Sequence, residues 1–224
     1  MPDESQEAPL RSLNEHFAAI PWTASLLQAP GTVTCLPASR MGPERAPEAA
    51  SASYDKLFKH TLDNESAVPH CLGFYQDPVP ALSAATASEL PDLPFVLRSA
   101  SLLFDLRPGV NGYNGTAHGG FIAAVMDEAM GSLIFQNGVV NAGAKASGAL
   151  PPDTRDFKGV AFFTARLEVS YRRPIPTPSV VVATASLKGI DRKKVHFQIV
   201  VKGEKGEEYA VGEGTWIRVQ KPNL

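Results

Sequence analysis

The stretch that decides the fold runs from residue 114 to residue 131 and reads Asn114-Gly-Thr-Ala-His-Gly-Gly-Phe-Ile-Ala-Ala-Val-Met-Asp-Glu-Ala-Met-Gly131. It is apolar on nearly every side, which predicts one long buried helix from His118 to Gln136. Asp127 and Glu128 are the only acidic residues between positions 105 and 153. Burying a carboxylate costs several kcal/mol, of order ~2–7 or more unless it is compensated. A catalytic role is therefore the leading explanation. The alternative is that one of the two side chains simply faces water, and the sequence favours Glu128 over Asp127 for that.

Strand patterns surround this helix. The segment from Phe95 to Leu106 precedes it, and an earlier one covers Val68 to Tyr75. A loop is predicted over residues 137–157. Four alternating or β-branched segments then follow, and they are Val160 to Tyr171, Ser179 to Leu187, Val195 to Val201 and Tyr209 to Val219. The predicted fold is α+β, with an antiparallel sheet that ends in a four-strand meander, wraps around one helix and leaves edge strands for another subunit.

Residues 1–60 are predicted to be an N-terminal extension and residues 61–224 the folded domain. Pro21 divides the helical pattern of the extension into two short pieces. Phe17, Ile20 and Trp22 are too apolar for a free tail, so we expect them to pack on the domain. Residues 29–53 are rich in Pro, Ala, Ser and Gly and predict a loop, which a short helix from Tyr54 to Leu62 follows.

Composition excludes several classes of protein. The formal net charge of −2 gives no field that would gather nucleic acid or an anionic membrane. No apolar run approaches the ~18 residues of a membrane span, and the acidic N-terminus resembles neither a signal peptide nor a transit peptide. We therefore expect the cytoplasm as the default location, with an organelle left open. The histidines and the two cysteines show no metal-ligand spacing, so no metal is expected.

The start of the predicted helix is a candidate binding site. The backbone N–H groups of Gly119 and Gly120 lack intrahelical partners there, and with the helix dipole they suit an oxyanion or a thioester carbonyl. An ordinary glycine-containing loop before a helix is the alternative. At ~1.5 Å per residue, Gly119 lies ~12 Å along the axis from Asp127, so one carbonyl carbon cannot touch both within one chain. The two groups therefore come from different subunits or serve different sites.

These residues resemble the signature of hotdog-fold acyl-CoA thioesterases, most closely the phenylacetate-pathway branch. The matching features are Gly115-Thr116-x-His118-Gly119-Gly120, then Asp127-x-x-x-Gly131, and Thr164 followed by Tyr171-Arg172-Arg173-Pro174. The resemblance covers roughly residues 95–219. It implies the hotdog fold, hydrolysis of acyl-CoA or acyl-carrier thioesters, and a homodimer or a dimer of dimers (a homotetramer). Coenzyme A would be part of the substrate, and no separate cofactor is implied.

The resemblance also implies roles for individual residues. Asp127 would activate water or attack the thioester directly, and Thr164 would help to hold that water. The Gly119 N–H would polarise the thioester carbonyl, with Gly120 beside it, and His118 would orient this loop. Many relatives have Asn where this chain has Gly112, and Asn111 and Asn114, which flank it, are the candidate substitutes. Strict strand alternation places Thr164 on one face with Arg166, Glu168 and Ser170, which leaves a solvent-facing Thr164 as the alternative.

Basic residues near strand ends and turns are candidates for binding the phosphates of coenzyme A. Arg172 and Arg173 follow one strand, and Arg192 and Lys193 lie in a turn, where a solvated turn without a ligand is the alternative. Two rivals to hydrolysis remain. A hotdog hydratase or dehydratase needs an acid–base pair, which His118 does not readily form at ~12 Å from Asp127. A non-catalytic dimer that binds acyl thioesters is the second rival. The absence of a Gly-x-Ser-x-Gly motif argues against an α/β-hydrolase.

Overall fold

A computed structural model describes residues 4–41, 55–82, 94–155, 157 and 159–220. The helices are α1 (Glu4–Ala18), α2 (Pro21–Leu27), α3 (Val79–Leu82) and α4 (Gly119–Ala146). The strands are β1 (Thr32–Cys35), β2 (Cys71–Gln76), β3 (Ser99–Leu106), β4 (Asn111–Tyr113), β5 (Thr116–Ala117), β6 (Val160–Tyr171), β7 (Ser179–Asp191), β8 (Lys194–Lys202) and β9 (Glu208–Gln220).

Seven strands form one antiparallel sheet in the order β1-β2-β3-β7-β8-β9-β6. The sheet curves around α4, whose buried face carries Ile122, Val125, Met126, Ala129, Met130 and Leu133. The approach of helix to sheet is close, because a Cβ added at Gly214 of β9 would lie 2.1 Å from Met130 Sδ. This arrangement confirms the predicted α+β fold, a sheet wrapped around one long buried helix. Among the described residues, no helix combines the length and hydropathy needed to cross a membrane.

The N-terminal helices cover the opposite face of the sheet. Leu102 and Phe104 of β3 point toward α4, whereas Leu103 between them points outward, as strand alternation requires. Phe17 of α1 is fully buried against Leu103 and the neighbouring strands. The partly buried side chains of Ile20, Trp22, Leu26 and Leu27 join it. These contacts agree with the expectation that the apolar side chains of the extension pack on the domain.

The central helix is longer than the sequence predicts. It continues ten residues past Gln136, through a segment for which a loop is predicted, and ends at Ala146. Asparagines favour loops because they bond to the backbone locally, but here Asn137 bonds across the core. Its amide accepts from Leu97 N at 2.9 Å and donates to Leu97 O at 2.9 Å. Tertiary hydrogen bonds therefore override the local preference.

The predicted four-strand meander is wrong in one respect. Strands β7, β8 and β9 do pair in sequence, but β6 pairs with β9 and forms the end of the sheet. The connection from β6 to β7 contains three prolines and runs beside β5, where Ala117 N donates to Ile175 O at 3.0 Å. Extended proline-rich backbone cannot form the tight hairpin that would pair β6 with β7.

The extension differs locally from its prediction. Residues 32–35 form strand β1 at the far edge of the sheet, inside the segment predicted as a loop. A single π-helical turn, Leu57–Thr61, stands where a short helix is predicted. Residues 42–53 of the predicted loop and the predicted helix start at Tyr54 lie outside the described residues, and the boundary at residue 60 stays a prediction.

Candidate active site

The first turn of α4 is held by its own cap. His118 is the N-cap residue, and its Nδ1 accepts a hydrogen bond of 2.9 Å from the Gly120 N–H. The Gly119 N–H is at the first helical position, where no intrahelical acceptor exists. A Cβ at Gly112 would lie 2.6 Å from His118 Cδ2 and 2.8 Å from its Cα, so no side chain fits there without a shift. Glycine at position 112 is thus explained by contact with His118.

Strand β6 contacts this same turn at its far end. The Tyr171 hydroxyl donates to the Gly119 carbonyl oxygen at 2.8 Å, and a Cβ added at Gly119 would be 3.5 Å from Tyr171 Cζ. Asn114, a predicted substitute for the Asn of relatives, is exposed in the β4–β5 turn, four residues before His118. The start of α4 therefore combines three features: an N–H of the helix N-terminus without an intrahelical acceptor, the His118 cap and the Tyr171 ring in contact with Gly119.

Asp127 lies two turns farther along α4 and contacts the middle of β6. The Thr164 hydroxyl donates to Asp127 Oδ1 at 2.7 Å. Burial raises the pKa of the half-buried Asp127 carboxyl above its ordinary value, and the Thr164 hydrogen bond offsets part of that rise. The structure therefore brings together the predicted pair, Asp127 and Thr164.

A β-bulge explains how Thr164 faces the helix. The register of β6 against β9 shifts between Thr164 and Arg166, with Ala165 as the extra residue. Before the bulge, Thr164 points to α4 and Phe163 is 61% exposed; after it, Leu167 and Val169 pack on the core. The face predicted for Thr164 together with Arg166 is therefore wrong, because one inserted residue reverses the alternation.

The sequence favours a Glu128 side chain that faces water, but in the structure this side chain contacts the N-terminal extension instead. Ser39, which is 1% exposed, donates its hydroxyl to Glu128 Oε1 at 2.6 Å. Burial raises the pKa of Glu128 to about 7; the Ser39 hydrogen bond and Arg40 oppose this rise, while Asp55 and Asp127 add to it. The contact joins the extension to α4 across 89 positions of sequence, so no local pattern reveals it.

The four basic candidates are all exposed, but they lie in two pairs near opposite ends of strand β6. Arg172 and Arg173 follow β6 beside Tyr209, whose carbonyl accepts from Arg172 N at 2.7 Å. Lys193 and Arg192 form the β7–β8 turn, near the Phe163 end of β6. Nine residues at ~3.3 Å separate these ends by about 30 Å, so the four do not meet at one phosphate within a chain.

One histidine cluster has the residue types of a metal site. His16 of α1 and His70 both approach Asp105 Oδ2, at 3.2 and 3.4 Å, although their sequence spacing shows no such grouping. The two rings are stacked with centroids 3.7 Å apart, whereas two imidazoles on a tetrahedral zinc with ~2.1 Å bonds have centroids about 5 Å apart. Arg107 also donates to the same oxygen at 2.7 Å. The arrangement therefore fits a polar cluster around the Asp105–Arg107 ion pair, which holds α1 against the sheet.

A sheet wrapped around one helix, with a capped glycine turn and a mid-helix carboxylate, defines a hotdog-fold protein. Residues 114–210 match the thioesterase superfamily. Verlamelin biosynthesis protein B from Lecanicillium sp. is 32% identical over 174 residues, which cover 74% of this chain and 73% of that protein. The chain belongs to the thioesterase superfamily.

Solved structures give a weaker similarity. A hypothetical thioesterase with coenzyme A from Streptococcus pneumoniae has 12% identity and a TM-score of 0.44, covering 55% of this chain and 82% of that one. The PaaI protein from the phenylacetic acid degradation operon of Escherichia coli has 16% identity and a TM-score of 0.40, covering 54% and 72%.

Proposed function

We propose that this protein hydrolyses an acyl-CoA or acyl-carrier thioester to a free acid and a thiol. The observation that carries the proposal is the 2.7 Å hydrogen bond from Thr164 to the half-buried Asp127 carboxyl. A carboxyl whose pKa is raised by burial is a stronger base than an exposed one once it is ionised. Membership of the thioesterase superfamily supports the class of reaction.

The reaction assigns Asp127 one of two roles. As a general base, it takes a proton from water while the water oxygen bonds to the carbonyl carbon. As a nucleophile, it bonds to that carbon itself, and water then hydrolyses the mixed anhydride. In both routes the carbon–sulfur bond breaks and the thiolate leaves, taking up a proton. Thr164 holds the carboxylate and the attacking water in place, and the Gly119 N–H stabilises the developing oxyanion.

Two chains are proposed to share each site. Gly119 and Asp127 belong to one continuous helix, and the eight residues between them span ~12 Å, which is too far for one carbonyl. Strand β6 ends the sheet and carries Phe163 and Tyr171, which are 61% and 52% exposed. Such an edge suits antiparallel pairing with a second copy.

A two-fold axis near the middle of β6 gives this pairing a specific register. Thr164 is the fifth residue of β6 and Tyr171 is the last, so an axis midway between them would place Thr164 opposite the partner subunit's Tyr171. Because Tyr171 contacts Gly119 and Thr164 contacts Asp127, the carboxylate of one chain would approach the glycine turn of the other. The Arg172 end of one chain would also approach the Lys193 end of its partner, which suits phosphates of coenzyme A. Two such dimers would associate into the proposed dimer of dimers, with the same shared sites in each.

The test is thiol release from a panel of thioesters. Purified protein is incubated with short, long and aromatic acyl-CoAs and with an acylated carrier protein, and free thiol is measured over time. We expect release that saturates with substrate. Enoyl-CoA that gains water without releasing thiol would establish the hydratase instead. Thioesters that only protect the protein against unfolding would establish a binding dimer, and either result would overturn the proposal.

A further inference from the structure

The first peptide group of α4 is held at both ends. Its carbonyl oxygen, on Gly119, accepts from the Tyr171 hydroxyl at 2.8 Å. Its N–H, on Gly120, donates to His118 Nδ1 at 2.9 Å. A peptide group is planar, so two hydrogen bonds to opposite atoms restrict rotation of the whole plane. The orientation of the start of the helix is thus set by side chains from two separate elements.

Glycine makes this restraint important. Gly119 has no Cβ, so its backbone is less restricted by sterics than that of any other residue. The N–H proposed to polarise the thioester carbonyl belongs to the peptide group on the other side of the Gly119 Cα. Rotation about this residue would therefore turn the donor away from the carbonyl. The peptide group that carries the Gly119 N–H is held through its carbonyl, because Ile122 N donates to His118 O at 3.0 Å, so Gly119 is the hinge between two held peptide groups.

Tyr171 is firmly placed to provide the restraint. It is the last residue of β6, it pairs with Ala210 of β9, and the next residue, Arg172, donates its N–H to Tyr209 O at 2.7 Å. Its ring lies over Gly119, with Cζ and Oη each 3.5 Å from the position of an added Cβ. The side chain is 52% exposed, so burial alone does not account for its orientation.

We infer that Tyr171 is a positioning residue for the carbonyl-polarising N–H of Gly119; this inference rests on the proposed thioester hydrolysis. Tyr171 acts through the Gly119 peptide and does not touch the reacting atoms within its own chain. Loss of its hydroxyl should impair the transition state, in which the oxyanion forms, more than ground-state binding. The expected loss in kcat is roughly tenfold, below the ~10²–10³-fold for removing an oxyanion donor itself.

The test compares Tyr171→Phe with Tyr209→Phe in the full chain. Tyr209 is the matched control, because its hydroxyl also makes one hydrogen bond, of 2.9 Å, but to Glu207 at a hairpin. Besides kcat and KM, two inert ligands are titrated. One is a ketone analogue of the best acyl-CoA, with methylene in place of the sulfur; the other is the thioether, with methylene in place of the carbonyl. Only the ketone presents a carbonyl oxygen to Gly119.

We expect Tyr171→Phe to lower kcat by a larger factor than it raises KM, and to weaken the ketone by about the factor by which KM rises, while thioether affinity is unaltered. Tyr209→Phe should match the wild type in all four measurements. Equal weakening of both ligands, or a variant that matches the wild type, would overturn the inference while leaving hydrolysis itself intact. If the wild-type protein releases no thiol from any thioester, the proposed function fails, and the inference falls with it.

Discussion

Thr164 reaches Asp127 because β6 contains one residue more than its partner strand requires. The extra residue, Ala165, turns Thr164 toward α4, and its hydroxyl then lies 2.7 Å from Asp127 Oδ1. Without the bulge, Thr164 would share the outward face of Arg166, and the Asp127 carboxyl would lose this donor. Bulges that redirect one side chain are frequent beside active sites.

Replacing Asp127 with Asn should abolish most thioester hydrolysis without unfolding the protein. Asn is isosteric with Asp and still accepts from Thr164, but it cannot act as a base or a nucleophile. We expect kcat to fall by roughly 10²–10⁴-fold, as for loss of a general base. Glu128→Gln, which changes the neighbouring carboxyl in the same way, is the control and should do much less. Steady-state kinetics with equal activity for Asp127→Asn and wild type would end this assignment.

Replacing Thr164 with Val should lower kcat more than it raises KM, whereas Thr164→Ser should be mild. The pH profile gives a second readout. The Thr164 hydrogen bond lowers the pKa of Asp127, so its loss raises that pKa and makes the active carboxylate form at higher pH. The acidic limb of kcat/KM against pH should therefore move upward in Thr164→Val. An unshifted limb together with an unchanged kcat would make the residue structural.

Glu128 should make the protein less stable as the pH rises. Its folded pKa of about 7 exceeds the 4.5 of an ordinary glutamate, so the folded state binds the proton more tightly. This contribution to stability is complete below about pH 4.5 and is lost as the pH rises toward 7. Urea unfolding from pH 4.5 to 8 should show wild type losing on the order of 1–3 kcal/mol relative to Glu128→Gln. Parallel pH curves for the two proteins would contradict the raised pKa.

Truncating Phe17 should destabilise the fold although it lies in the N-terminal extension. The side chain is 0% exposed against Leu72, Leu103 and Val182, so Phe17→Ala leaves a cavity under α1. The expected loss is about 3–5 kcal/mol in the free energy of unfolding. Leu57→Ala, at a side chain that is 47% exposed, should change it by only about 0.5 kcal/mol. A Phe17→Ala protein as stable as wild type would mean that α1 does not dock in solution.

Two inactive variants should restore activity when they share a dimer. Asp127→Asn removes the carboxylate, and Gly119→Leu closes the carbonyl site, where a Cβ itself meets Tyr171 only at 3.5 Å. In a mixed dimer one site carries both changes and the other carries neither. Random re-pairing makes about half the dimers mixed, so about a quarter of wild-type activity should return. Co-refolded variants that form mixed dimers, shown by differently tagged copies, and remain inactive would exclude a shared site.

The sequence by itself determined most of the core elements and the chemically capable residues. Alternation and apolar periodicity mark β6, β7, β8, β9 and the buried helix, because they record which faces of a segment avoid water. The same patterns are silent about pairing, since any apolar strand face suits several neighbours. For this reason the place of β6 at the edge of the sheet was decided only in the tertiary structure.

Contacts between distant segments were also decided by tertiary structure alone. Asn137 stays helical because Leu97 satisfies its amide, and Glu128 is held by Ser39 from a segment predicted as a loop. The bulge at Ala165 depends on the register against β9, which no window of β6 contains. The sequence therefore identified Asp127 and Thr164 as candidates, but their contact required the packing of a helix against a strand 37 positions away.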